Sequence, residues 1–291
     1  MVSKNLFSWF IFILLSFIWG SSFILMKLGL QALTPYQVAA IRILSSGLLL
    51  SPIAIKYIRH IPKDKLLIVF LSGLIGNLIP AFLFCLAEQV LDSSLTGVVN
   101  SLTPIFVIVT GALFFNSKPS TNKITGILVA FTGTTLLFTG NNYLHINIEI
   151  IDVLLVVLAT ILYGFNVNMV HTKLKETGSL QIVSVALFLN AIPALIILIF
   201  TGYFNLSFSN KAVLFSTGAT IVLGTFGTVI ANILFYILIK KAGTVFSSMV
   251  TYGMPFIAIF WGVVAGENIG WKQVVCLLII LSGVYWANRS K

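Results

Sequence analysis

Residues 180–201 read LQIVSVALFLNAIPALIILIFT, twenty-two positions without a charge. Such a run, with apolar side chains on every face of the helix it would form, cannot lie on the surface of a water-soluble domain. A helix crossing the roughly 30 Å hydrocarbon layer of a bilayer needs about 20 such residues at about 1.5 Å rise each. The chain holds ten runs of this kind, at about 6–28, 36–58, 65–86, 94–115, 123–140, 150–170, 180–201, 212–239, 244–264 and 271–288. They are long and continuous, so they do not read as the short alternating segments of a membrane β-barrel. The first stays apolar through Met26, too far for a cleaved signal, and reads as a retained helix. Only 8% of the 291 residues are charged, against about 25% in a soluble domain. An all-α integral membrane protein follows.

The net charge of +10 has a topological reading. With the N-terminus inside, thirteen of the seventeen Lys and Arg residues fall on inner segments, among them Lys56, Arg59, Lys63, Lys65, Lys173, Lys240 and Lys241. Lys27, Lys211 and Lys272 fall outside, and Arg42 lies within the second span. This predicts a multi-pass protein of a plasma (bacterial inner) membrane, both termini cytoplasmic, its basic charge no footprint of nucleic acid. Cys85 and Cys276 lie in apolar runs, which excludes a disulfide framework, and His60, His145 and His171 are scattered singly. No metal site, no cofactor and no catalytic residue is expected. The inner loops hold no paired carboxylates or histidine cluster for a membrane-embedded enzyme, and a selective pore would need a charged ring or carbonyl filter.

The chain also repeats itself. At an offset of 151, Gly73 pairs with Gly224, Gly76 with Gly227, Phe84 with Phe235, Pro104 with Pro255 and Gly111 with Gly262. Upstream the offset is 144, pairing Gly20 with Gly164 and Gln37 with Gln181; downstream it is 150, pairing Gly133 with Gly283. Ten spans then form two five-helix repeats, 1–140 and 141–291. Five is odd, so the second repeat enters the membrane from the opposite side. Inverted repeats around a central cavity are an architecture of alternating-access transporters.

Several segments resemble the EamA family of the drug/metabolite transporter superfamily. They are FIWGSSFILMKLGL in the first span, TPYQVAAIRIL entering the second, NSLTPIFVIVTGALFF in the fourth, and MPFIAIFWGVVAGENIGWKQVVCLLIILSGVYW over the last two. The resemblance covers essentially the whole chain. It implies ten helices, a cavity lined mainly by spans 1, 3, 4, 6, 8 and 9, and export of small metabolites such as amino acids or drug-like and aromatic compounds. Lys118 and Pro119 stand where that pattern would repeat the acid seen at Glu267.

Polar residues deep in these spans need partners or a wet cavity. The candidates for the cavity wall are Trp19, Ser21, Ser22, Asn77, Asn100, Thr103, Tyr163, Asn166, Thr228, Asn232 and Tyr252. Interhelical hydrogen bonding is the plainer role for any single Ser or Thr. Gly76, Pro80, Pro104, Gly227 and Pro255 are candidate hinge or packing positions. Arg42, Glu88 and Glu267 are candidate charges near the outer mouth, with Arg42 expected to snorkel outward or pair with Glu88, and binding of a substrate carboxylate as its alternative role. No charge is then expected at the membrane centre. Neutral or zwitterionic substrates moving without tight proton coupling would follow. One chain holding both repeats can build its cavity as a monomer, with a small-molecule substrate and the lipid bilayer as its partners.

Overall fold

The computed structural model describes residues 6–91, 93–139, 150–257, 260 and 270–289. Every regular element among them is helical. Helices α1 (Leu6–Leu30) and α2 (Pro35–Tyr57) are followed by α3 (Lys63–Gly73) and α4 (Ile79–Ala87), which a π-helical turn at Leu74–Leu78 joins into one rod. Then come α5 (Ser93–Asn100), α6 (Thr103–Phe114), α7 (Thr121–Thr139), α8 (Ile150–Lys173) and α9 (Ser179–Phe200). Helices α10 (Lys211–Val222) and α11 (Ala231–Ala242) are again joined by a π-helical segment, Leu223–Ile230. Helix α12 (Thr244–Ser248) runs into a 3₁₀ segment, Met249–Gly253, and α13 (Trp271–Arg289) ends the described chain.

Seven stretches of the described residues are long and apolar enough to cross a membrane, and they coincide with expected spans 1–4 and 6–8. Where spans 5 and 10 were expected stand α7 and α13, helices of 19 residues each. Span 9 begins as α12 and runs into residues outside the described set, where Gly262 and Glu267 also lie. Large apolar side chains face outward, such as Phe200 at 86% and Leu113 at 70% exposed. Water would not tolerate that surface, whereas lipid covers it.

Helix starts follow local chemistry. The Thr34 side chain accepts from the Gln37 N–H at 3.3 Å while the Thr34 N–H donates to Gln37 Oε1 at 3.0 Å, a reciprocal cap on α2 with Pro35 in the first turn. In α9, 144 residues later, the Gly178 N–H donates to Gln181 Oε1 at 3.1 Å. Pro80 and Pro104, expected as mid-helix hinges, occupy the first turns of α4 and α6. At the start of α6 there is no intrahelical bond for Pro104 to remove, so it begins that helix, whereas Pro80 stands just after the π-helical turn inside the continuous α3–α4 rod. The carbonyl that Pro104 leaves without an N–H, that of Asn100, accepts from Thr103 Oγ1 at 2.8 Å. Ser51 makes the same bond to Leu48 O, at 2.8 Å, beside Pro52 inside α2. Pro255 follows the 3₁₀ segment by two residues.

Buried apolar side chains form two clusters. One gathers Ile11 and Leu15 of α1, Leu50 and Ala54 of α2, Val69 of α3, Val170 of α8, Ile182 of α9 and Ile239 of α11. The other gathers Met26, Val38, Ile43, Phe84, Val156, Leu198 and Val213. Thus α1 runs from the first cluster to the second and α2 returns, whereas α8 runs from the second to the first and α9 returns. Across this arrangement α1 packs against α10, α11 and the 3₁₀ segment, and α8 packs against α4, α5 and α6. Like helices also meet. Gly47 of α2 lies so close to α9 that an added Cβ would stand 2.6 Å from that of Ala191, 144 residues away. Between α7 and α13, a Cβ on Gly126 would stand 2.4 Å from Ala287 N, and one on Gly283 2.4 Å from Ala130 N.

Candidate functional site

Between the two clusters lies a cavity of about 100 Å³, enough for several water molecules or part of a small organic molecule. Eight of the expected wall residues line it: Trp19, Ser22, Asn77, Asn100, Thr103, Tyr163, Asn166 and Asn232. Gly76 and Gly227, the two candidate packing glycines, line it as well. The other lining residues are Phe23, Met26, Arg42, Phe84, Val167, Phe235, Ser248, Thr251 and Met254.

Most of this wall is written twice. At an offset of 144, Trp19 answers Tyr163, Ser22 answers Asn166 and Phe23 answers Val167. At 151, Gly76 answers Gly227, Phe84 answers Phe235, Asn100 answers Thr251 and Thr103 answers Met254. Ring contacts follow the same rule. Trp19 meets Phe235 edge-on with centroids 5.0 Å apart, and Tyr163 stacks on Phe84 at 6.0 Å. The π-helical turns, Leu74–Leu78 and Leu223–Ile230, also overlap under the 151 offset. Applying the offset to the expected wall residues Asn100 and Thr103 therefore finds Thr251 and Met254, which the sequence reading had missed.

The π-helical segments turn unusual backbone toward the centre, and side chains bond to it. Trp19 Nε1 donates to Gly227 O at 3.1 Å, Ser46 Oγ to Gly224 O at 2.9 Å, and Asn232 Nδ2 to Thr228 O at 2.7 Å. Asn232 Nδ2 also donates to Asn77 Oδ1 at 2.7 Å, joining the first turn of α11 to the Leu74–Leu78 turn across the cavity. Asn166 Nδ2 donates to Tyr236 Oη at 3.1 Å, and Asn100 Nδ2 reaches Met254 Sδ at 3.7 Å. These amides are both wall and glue. Asn190 is glue only, donating to Phe70 O at 3.1 Å.

Three expected wall residues lie elsewhere. Tyr252 is fully buried and donates through Oη to Ile127 O at 3.1 Å, tying the 3₁₀ segment to α7. Ser21 is outside the lining set. Thr228 is also fully buried but touches the site through Arg42, whose Nε donates to Thr228 Oγ1 at 2.7 Å. That bond turns Arg42 to the cavity, where the expectation was snorkelling to the interface or pairing with Glu88. Arg42 sits seven residues into α2, about 10 Å along its axis. Its guanidinium turns in to Thr228 and the cavity, where a hydroxyl satisfies it, instead of outward to the interface.

Glu88 is corrected too. It is the first residue beyond α4, only 1% exposed, and forms no ion pair with Arg42. Neither carboxylate oxygen has a hydrogen bond of ordinary geometry among the described residues. Burial pushes its carboxyl up to about 8, with the nearby Lys27 ammonium and Ser93 hydroxyl opposing. Lys27 donates to the backbone carbonyls of Glu88 and Leu91 at 2.8 and 3.0 Å, fastening the end of α1 to the turn after α4.

The sequence model of the EamA-like transporter family matches this chain twice, over residues 6–139 and again over 150–289. The chain belongs to the EamA-like transporter family. It is a multi-pass membrane transporter. It is 25% identical over 287 residues to an uncharacterized transporter of Archaeoglobus fulgidus, covering 97% of this chain and 99% of that protein. It is 24% identical to protein PagO of Salmonella typhimurium, covering 94% of this chain and 90% of PagO. Over 135 residues it is 27% identical to a probable amino-acid metabolite efflux pump of Salmonella typhimurium, covering 45% of this chain and 43% of the pump. A solved crystal structure superposes with a TM-score of 0.73 at 17% identity, covering 98% of this EamA-like chain and 96% of that one.

Proposed function

We propose that this EamA-like protein is an alternating-access carrier that exports small organic metabolites. Its ten spans form two inverted five-helix repeats, 1–140 and 141–291, with both termini in the cytoplasm. The observation that carries this reading is the doubled wall: fourteen of the nineteen lining residues form seven pairs at the repeat offsets. A cavity whose two sides are equivalent can exchange their roles, so that opening toward one face of the membrane mirrors opening toward the other. The opposite courses of α1 and α8 between the two buried clusters support inversion. The π-helical turns and the helix breaks before Pro104 and Pro255 are the places where the rods would bend.

Polar amides beside aromatic rings suit molecules with a polar head and an apolar body. The relative named as an amino-acid metabolite efflux pump supports both the substrate size and the outward direction. The test is counterflow in proteoliposomes loaded with unlabelled amino acids and their metabolites. A carrier gives transient accumulation of a labelled pool member above equilibrium. Prompt equilibration without overshoot would mean a pore and would sink the reading.

A further inference from the structure

Resting on the carrier reading, we propose that Arg42 anchors a carboxylate, so that this protein carries amphipathic organic monocarboxylates in preference to zwitterions. Among the described residues, Arg42 is the one Asp, Glu, Lys, Arg or His in the cavity wall. Its Nε bond to Thr228 fixes the plane of the guanidinium, and its terminal N–H groups make no hydrogen bond among the described residues. The one ion pair among those residues joins Lys65 to Asp64, in the first turn of α3 and away from the cavity. Glu88 forms no ion pair with Arg42, and Lys27 is held by the backbone carbonyls of Glu88 and Leu91. A cation held deep in a bilayer protein without a counter-ion is unfavourable, and an anion that enters the cavity removes that penalty. The guanidinium fork matches a carboxylate in two parallel hydrogen bonds.

The neighbours define the rest of the ligand. Tyr163 lies close enough to Arg42 for direct electrostatic influence, and its hydroxyl makes no hydrogen bond among the described residues. The Tyr163–Phe84 stack offers an apolar surface for the body of the ligand. Among the described residues, no carboxylate in the wall can receive an ammonium. A monocarboxylate therefore leaves the loaded site neutral, whereas a zwitterion brings a second buried cation. Arg42 also breaks the doubling of the wall, for Ala186 stands at its counterpart 144 residues on. The specificity device is thus present once per cavity.

The test compares three probes of one shape on the purified full chain by calorimetry at pH 7.5: 3-phenylpropionate, 3-phenylpropanamide and L-phenylalanine. The carboxylate should bind about tenfold or more tighter than either of the others. Arg42→Gln should erase that preference while amide binding stays within about twofold, and Arg42→Lys should restore only part of it. Equal binding of the three, tighter binding of phenylalanine, no binding of the carboxylate in the millimolar range, or a preference that survives Arg42→Gln would each overturn the proposal. Counterflow of the same probes separates the two readings. Overshoot by the amide or phenylalanine without carboxylate preference sinks the anchor and leaves the carrier. Selective carboxylate binding with no counterflow of any probe sinks the carrier and leaves the anchor.

Discussion

Replacing Thr228 by Val isolates one bond in this site. Thr228 is fully buried, so Val fits with a methyl group in place of the hydroxyl. The backbone carbonyl of residue 228 still accepts from Asn232, and the Asn232–Asn77 bond is kept. What disappears is the acceptor 2.7 Å from Arg42 Nε. A hydrogen bond to a charged group is worth about 1.5–3 kcal/mol, and the open side of the guanidinium can recruit water, which favours the lower end. Loss of about 1.5 kcal/mol corresponds to about a tenfold loss in carboxylate affinity. Calorimetry with 3-phenylpropionate reads that loss, and 3-phenylpropanamide should stay within about twofold. The thermal midpoint in detergent should hold, because an apolar methyl replaces a polar group in a buried place. An equal loss for both probes, or a large fall in the midpoint, would show that Thr228 supports the bundle and does not orient Arg42.

Three further outcomes are expected. Gly283→Leu should lower the thermal midpoint sharply, by about 1–3 kcal/mol or more in stability, because its side chain meets the Ala130 N and Gly126 O backbone atoms; Gly218→Ala, where nothing lies within 4 Å of an added Cβ, should leave it unchanged or raised. For Glu88, the folded protein keeps the proton up to about pH 8 while an unfolded carboxyl releases it near its ordinary 4.5. The folded state then binds the extra proton, so stability should fall as pH rises from about 4.5 to 8, and Glu88→Gln should remove that slope in thermal melts. Both native cysteines are buried, so single exposed cysteines report topology. In intact cells an impermeant maleimide should label Ser209→Cys, while His60→Cys should be labelled only after permeabilisation; the opposite pattern would reverse the proposed orientation.

The helices were legible because lipid imposes a simple rule, about twenty apolar residues per crossing, which runs such as 180–201 obey plainly. The repeat was legible through Gly and Pro, whose backbone demands differ from those of the aliphatic residues around them. Breaks inside spans were harder to read. A π-helical turn at 74–78 carries no composition of its own, and its Gly76 and Asn77 read equally well as small-residue packing and interhelical glue. Arg42 was misplaced because depth along a helix does not fix where a long side chain points. The hydroxyl that draws it inward is 186 residues away. Tyr252 failed for the same reason, since Ile127 O, its partner, belongs to a helix the pattern of polar residues never implicated.

The single charge in an otherwise doubled wall also bears on energetics. If the loaded cavity is neutral and the empty one carries the Arg42 charge, each export cycle returns one positive charge inward. A potential of 100 mV, inside negative, is worth about 2.3 kcal/mol per charge, which supports about a fiftyfold outward gradient without any proton. That the described cavity wall holds no acid then fits active export and does not imply passive flux. Proteoliposomes clamped with potassium and valinomycin test this directly. Efflux of 3-phenylpropionate should accelerate under an inside-negative potential, and efflux of 3-phenylpropanamide should slow, because its carrier moves the Arg42 charge on both legs and gains nothing while loaded. Acceleration of both probes, or of neither, would show that Arg42 is not the charge the cycle moves.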